Sequence, residues 1–352
     1  MRRFILESLF RIRADRLTRL AHRHKAIVLA YHGFTDRARH PGIENSQGKH
    51  LPVEAFRSQL AYLQRHYRVL PLETLVAAIE SGAPLPARSL AITIDDGYRS
   101  NYTLAYPVLR EFALPATIFL TTGFLDEGDP QWSDRVEYAL NRTTESRLEL
   151  TIGRDTFVAR LGNMGEKLAC DRRLRTLLKV VPQETRGAIV DDLEERLGHR
   201  LSDAADAPAI YQPLAWAEVR EMQQSGLMTF GSHTVSHFIL TRCEPARARD
   251  ELARSRRRIE AETGVPCRLF CYPNGQAGCF DAATRAMLLE AGYTGALTTV
   301  YGMNDRRSDV LALSRLYANK PGMARFALTV SGVMGGLDAV KRAALPRKKG
   351  QA

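Results

Sequence analysis

Short apolar runs, punctuated by turn residues, alternate with stretches of helical period along most of the chain. Residues 26–31 form one such run, and residues 53–67 follow with Phe56, Leu60 and Leu63 at helical spacing. Val69 and Leu70, a second helix over 72–81 and a β-branched run over 89–94 come next. Residues 100–112 read as a helix and 116–121 as another strand closed by Thr122-Gly123. After Pro213 the alternation resumes: helix 214–225 with Trp216, Val219 and Met222, an apolar stretch 227–230, then a long charged helix 247–263. Strand 269–272, helix 280–291 and strand 295–300 complete it. Strands apolar on both faces and separated by helices predict a largely parallel α/β architecture.

Between about Gly128 and Pro213 the pattern changes. Trp132-Ser133-Asp134 opens an amphipathic helix through Leu140, and residues 148–152 and 156–161 flank Gly153-Arg154-Asp155 as a β-hairpin. Two charged helices, 165–181 and 183–197, and a polar linker over 202–208 follow. The chain therefore divides into a core of residues 26–127 and 211–330, an α+β insertion over 128–210, and a basic tail over 331–352. The insertion reads equally as a lid shaping substrate access or as extra packing.

Composition narrows the partners. The chain has 352 residues and a formal charge of +11, which favours anionic partners such as acidic glycans, phosphates or anionic lipids. That charge is spread along the chain with no nucleic-acid motif, so no nucleic-acid partner is expected. Cys267, Cys271 and Cys279 read as small buried residues of a reducing compartment rather than a thiolate metal clip. Residues 1–25 read as a basic amphipathic helix, neither a signal peptide nor a transmembrane span. Either it packs on its own domain or it meets an anionic membrane through Arg2, Arg3, Arg11, Arg13 and Arg16, to which Arg347-Lys348-Lys349 would add. The expected location is the cytoplasm, or peripherally the inner face of the membrane.

The chemistry concentrates at two strand ends. The run over 89–94 stops at Asp95-Asp96-Gly97, and alternate strand residues face opposite ways, so the two carboxylates need not share a job. Far downstream, His233 and His237 are four apart in Gly-Ser-His-Thr-Val-Ser-His, and one helical turn would place them on one side. Two imidazoles with the Asp96 carboxylate make a zinc-type ligand set, and Co2+ or Ni2+ would also suit.

Thr93-Ile94-Asp95-Asp96-Gly97-Tyr98 and His233-Thr-Val-Ser-His237 resemble the first two motifs of the NodB-type polysaccharide deacetylases, carbohydrate esterase family 4. Phe270-Cys271-Tyr272-Pro273-Asn274-Gly275 resembles the third motif in its FxYPxG variant. The resemblance covers roughly residues 26–126 and 211–317. It implies an α/β fold, a deformed (β/α) barrel of the NodB/glycoside hydrolase–deacetylase type, with the metal at the strand carboxyl ends. It further implies an N-acetylated glycan substrate, metal held by Asp96, His233 and His237, and Asp95 as catalytic base. Tyr272, Pro273 and Asn274 would meet substrate, with a backbone N–H near Asn274 facing the oxyanion. The Tyr31-His32 pair resembles the N-terminal histidine of permuted branches, which makes His32 the acid for the leaving amine; no Leu-x-His follows Tyr293. Many relatives carry an arginine where this chain has Cys271. Arg315, in Leu313-Ser314-Arg315-Leu316, resembles a late family element near the site and could replace it. The same residues would serve another amide or an O-acetyl ester, and a non-catalytic glycan- or membrane-binding protein is the third reading.

Overall fold

A computed structural model describes residues 2–201 and 207–335. Seven parallel strands form its centre: β1 (Ile27–Tyr31), β2 (Ser89–Asp96), β3 (Ala116–Leu120), β4 (Met228–Ser232), β5 (Leu269–Cys271), β6 (Gly295–Tyr301) and β7 (Leu313–Tyr317). Each pairs with the next, and β7 returns to β1 through Leu29 opposite Leu316, so the sheet closes on itself. The short strand Arg68–Val69 adds to the outer edge of β2. Closure buries both faces of most strands, which is why β1, β2 and β3 are apolar runs without alternation. Val28, Ala91, Phe119, Leu269, Leu297 and Leu313 share one apolar cluster, and a larger layer joins the strands to the surrounding helices. Gly231 in β4 permits that packing: a Cβ there would sit 2.5 Å from the Phe119 ring and 2.8 Å from the Leu269 carbonyl.

Helices Val53–His66, Leu72–Glu80, Trp216–Gln224, Pro245–Thr263 and Ala282–Glu290 lie where the helical periods predicted them. Residues 100–112 depart from a uniform helix, because Asn101–Ala105 winds as a π turn before the α-helix Tyr106–Phe112. The wider turn lets the buried Asn101 side chain donate to the His32 carbonyl at 2.7 Å.

The intervening segment has its own core. Helix Trp132–Arg142, the antiparallel hairpin Arg147–Ile152 and Asp155–Arg160, and helices Met164–Leu178 and Gln183–Leu197 supply most of its apolar contacts. A polar seam joins it to the barrel: Lys49 Nζ lies 2.5 Å from Asp134 Oδ1, and the Tyr98 hydroxyl donates to Asp134 Oδ2 at 2.5 Å.

The N-terminal region forms two helices, Arg2–Arg11 and Ala14–Ala21, broken where Arg13 takes φ 59. Leu6 packs on Leu328 and Met334, and Asp15 and Arg19 engage the Tyr62 hydroxyl at 2.9 and 2.7 Å. Ile12, Leu17 and Leu20 stay 62–74% exposed beside exposed Arg11, Arg13 and Arg16. Of the arginines expected to meet an anionic membrane, Arg11, Arg13 and Arg16 lie on this face, and the side chains of Arg2 and Arg3 lie outside the described residues. Arg347, Lys348 and Lys349 lie outside the described residues, and no described helix is long and apolar enough to cross a membrane.

Candidate active site

The carboxyl ends of β2, β3 and β4 stop level with one another, Asp96 opposite Leu120 and Leu120 opposite Ser232. His233 follows directly, its N–H donating to the Leu120 carbonyl at 2.9 Å. The expected helical turn between the two histidines is absent. Thr234 and His237 instead adopt φ 68 and φ 54, and this left-handed path folds His237 back over the strand end. The loop is held from behind by Glu251 of helix Pro245–Thr263, whose carboxylate accepts from the Val235 and Ser236 N–H groups at 2.9 and 2.8 Å. Asp96 is left-handed too, at φ 78. A non-glycine residue in this region costs about 1–3 kcal/mol, and such residues cluster at functional sites.

Asp96 Oδ1 lies 3.6 Å from both His233 Nε2 and His237 Nε2. The three ligand atoms fall within 4.8 Å of one another. His233 Nδ1 is 2.6 Å from the Cys271 carbonyl, which calls for an N–H on Nδ1 and leaves a lone pair on Nε2. Burial, and then the neighbouring His233, push the His237 pKa down to about 3, so that ring is neutral. Asp96 Oδ1 is buried without a hydrogen-bond partner. One carboxylate oxygen and two imidazole nitrogens therefore converge, an arrangement that fits a divalent cation with N and O ligands.

Asp95 points elsewhere. Both of its oxygens receive Arg315, Oδ1 from Nη1 and Oδ2 from Nη2, each at 2.8 Å. Arg315 is fully buried, yet it reaches five acceptor contacts: those two, the Thr298 carbonyl at 2.7 Å, Thr93 Oγ1 at 3.2 Å and Cys271 Sγ at 3.1 Å. Its five donors are matched in number. Burial alone would raise the Asp95 pKa, but Arg315 outweighs it and holds the carboxyl below its ordinary value. Thus the guanidinium missing at Cys271 of β5 arrives from β7. His32, at the end of β1, places Nε2 3.9 Å from Asp95 Oδ2 and stacks its ring on Tyr317 at 6.1 Å between centroids. Burial lowers the His32 pKa, so its resting imidazole is neutral.

The third-motif residues split. The Tyr272 side chain is committed to the core: its hydroxyl donates to the Leu311 carbonyl at 3.0 Å and its ring stacks on Phe280. Its backbone N–H donates to the Leu297 carbonyl at 3.0 Å, and the residue contributes to the wall of the cavity over Asp95 and Asp96. Pro273 leads into a tight turn in which Asn274 takes φ 59 and Gly275 φ 53, and the Asn274 carbonyl accepts from Thr299 Oγ1 at 2.6 Å. Asn274 does line the cavity over these three ligand atoms, alongside His32, Asp95, Asp96, His233 and His237. Cys267, Cys271 and Cys279 form no thiolate cluster among the described residues.

That cavity, of about 310 Å3, also draws on residues with no signal in the sequence. Lys49 comes from the barrel side, and Trp132, Ser133, Arg175 and Lys179 from the insertion. Asp134, which anchors Lys49, sits in the first turn of its helix, where an acid also reads as an ordinary helix-start residue.

Comparison with known proteins agrees with this geometry. The polysaccharide deacetylase family model matches residues 82–151 and 187–296, and the chain belongs to that family. Over 91 residues it is 30% identical to poly-β-1,6-N-acetyl-D-glucosamine N-deacetylase of Escherichia coli (strain K12), a match spanning 26% of this chain and 13% of that protein. YxkH of Bacillus subtilis (strain 168) is 22% identical over 302 residues, 85% of this chain and 73% of its own length. In fold the chain is similar to Streptococcus pyogenes deacetylase PplD, solved with acetate: TM-score 0.57 at 18% identity, covering 87% of this chain and 98% of that one.

Proposed function

We propose that this chain is a metal-dependent hydrolase that removes N-acetyl groups from an N-acetylhexosamine-containing polysaccharide or its lipid-linked precursor. The observation that carries the proposal is the buried convergence of Asp96 Oδ1 with the His233 and His237 Nε2 atoms, beside an aspartate clamped by a buried arginine. Family membership and the deacetylase activity named for the E. coli relative support the same reading.

Asp96, His233 and His237 would hold the cation, with zinc the best fit to their N and O donors. Such an ion supplies Lewis acidity, polarising an acyl oxygen and making water more acidic. The chain's own residues then manage one proton. Asp95 Oδ2 takes it from the attacking water, but Arg315 makes that carboxylate a poor place to keep it. His32 Nε2, 3.9 Å away, is the better holder and passes it to the departing amine as the C–N bond breaks. Acetic acid, which ionises to acetate, and a free amino sugar result: the water's hydroxyl goes to the acyl carbon and its proton, carried by Asp95 and then His32, to the amine nitrogen. Asn274, in its left-handed turn, lies at the cavity wall where an oxyanion donor is needed.

The test is acetate release from N-acetylglucosamine oligomers by zinc-reconstituted protein, beside Asp95→Asn and His233→Ala. Wild type should release acetate, and each variant should lose at least about 10²-fold in rate. His233→Ala should also lose bound zinc while Asp95→Asn keeps it. Zinc-loaded protein that releases acetate from no N-acetylated glycan would overturn the reading.

A further inference from the structure

The charges lining the active cavity are unbalanced once their partners are assigned. Its two acids are Asp95, committed to Arg315, and Asp96, committed to the cage. Its cations are Lys49, Arg175 and Lys179. Lys49 is fixed on Asp134 at 2.5 Å. Arg175 is fixed on Asp171 at 2.8 Å and on the Ser133 carbonyl at 2.9 Å. Lys179 differs from both, since among the described residues its ammonium makes no ion pair.

Lys179 caps the C-terminal end of helix Met164–Leu178 and is exposed at the cavity rim. Its backbone is tied to the barrel side, where the Arg242 guanidinium donates to its carbonyl. Partial burial and three nearby cations, Arg175, Arg186 and Lys49, all push its pKa down. An exposed ammonium at the cavity rim with no ion pair of its own can take an anion there without breaking an existing contact. The adjoining groove, of about 410 Å3, shares Gln131, Trp132 and His237 with the cavity. It adds Arg135, Arg186, Arg247 and Arg254 beside Glu127 and Asp129, with Arg247 paired to Glu251 at 2.8 Å and Arg254 to Asp250 at 3.3 Å. A chain leaving the cavity on that side therefore passes guanidinium groups that are partly compensated.

Resting on the deacetylase reading, we infer that the substrate carries an anionic group, phosphate or carboxylate, next to the N-acetylhexosamine, and that Lys179 of the insertion binds it. Lys179 is then a specificity residue: it selects which glycan enters and does not touch the reacting amide.

The experiment uses the full zinc-loaded chain and three probes: an N-acetylglucosamine oligomer, N-acetylglucosamine 1-phosphate, and an oligosaccharide alternating N-acetylglucosamine with a uronic acid. Binding is measured by calorimetry and turnover by acetate release, each at low and high salt. At least one anionic probe should bind about tenfold more tightly than the neutral oligomer, as expected for one charge-assisted contact, and lose that advantage in salt. The anionic probe that gains identifies phosphate or carboxylate as the recognised group. Lys179→Gln should erase the advantage by raising KM for the anionic probe rather than by lowering kcat, and Lys179→Arg should keep it. Equal binding of all three probes, or an advantage that survives Lys179→Gln, overturns the inference. Acetate release without charge preference would sink this inference alone. Charge-selective binding without release from any probe would instead sink the deacetylase reading.

Discussion

The barrel and the insertion reach the same cavity by different physical means. Barrel residues are set by a closed ladder: Asp95, Asp96, His233 and Arg315 sit on or just beyond paired strands and are nearly or fully buried. Insertion residues come from helices built over a separate apolar core and meet the barrel through the seam of Lys49, Tyr98 and Asp134. The first mode gives rigidity where protons must move over short distances. The second leaves side chains such as Lys179 at the rim, where contacts can change without disturbing the ladder. Under the proposed function this is a division of labour, with reactivity on the strands and selection on the helices.

The largest way to break that contrast lies in the barrel. Arg315→Met leaves Asp95 buried without its partner, and a loss of about 3–5 kcal/mol is expected in urea unfolding. Adding Asp95→Asn to the same chain should recover much of it. If the single variant were as stable as the parent, the clamp would not be holding the site.

A smaller effect tests the seam. Asp134→Asn weakens the acceptor shared by Lys49 and Tyr98, at a cost of about 1–3 kcal/mol. Hydrogen exchange should speed up in helix Trp132–Arg142 and the hairpin while β2 and β3 amides stay protected. Equal acceleration in both regions would show that they unfold as one unit.

The smallest is a pH effect at the same seam. His50, beside Lys49, is buried against the Tyr98 ring, and burial and then Lys49 push its pKa down to about 3. Its unfolded value is about 6.5, so between the two values the unfolded chain binds the extra proton. Stability is full above that unfolded value and falls with pH through the window, by about 1 kcal/mol from pH 8 to pH 6 for this group. His50→Gln should flatten that part of the profile, and an unchanged slope would assign it elsewhere.

Much of the barrel was legible because closure imposes a pattern: a strand buried on both faces must be apolar throughout, and Asp-Asp-Gly at its end stands out. The sites that escaped depend on contacts that leave no period. Lys49 and Asp134 are 85 positions apart in the chain, and neither interrupts a pattern. The histidine loop misled because spacing suggests a helical turn, whereas Thr234 and His237 take φ values that periodicity does not encode. Tyr272 lies within a recognisable motif, yet its direction is decided by Leu311 and Phe280, which only the folded chain brings to it. Arg315 could be named from the late family element, but not its bidentate grip on Asp95.

That grip has an evolutionary consequence. An arginine at the third-motif position would start from β5, whereas here it crosses from β7, with Cys271 accepting at its flank. A ring of inward-facing strands offers several launching points to one spot near its axis. Selection then acts on where the positive charge arrives, and the position that sends it is free to drift. A lineage can exchange one supplier for another through an intermediate carrying both, without the aspartate ever standing alone. Homology searches that demand the arginine at one motif position would pass over chains that have made the exchange.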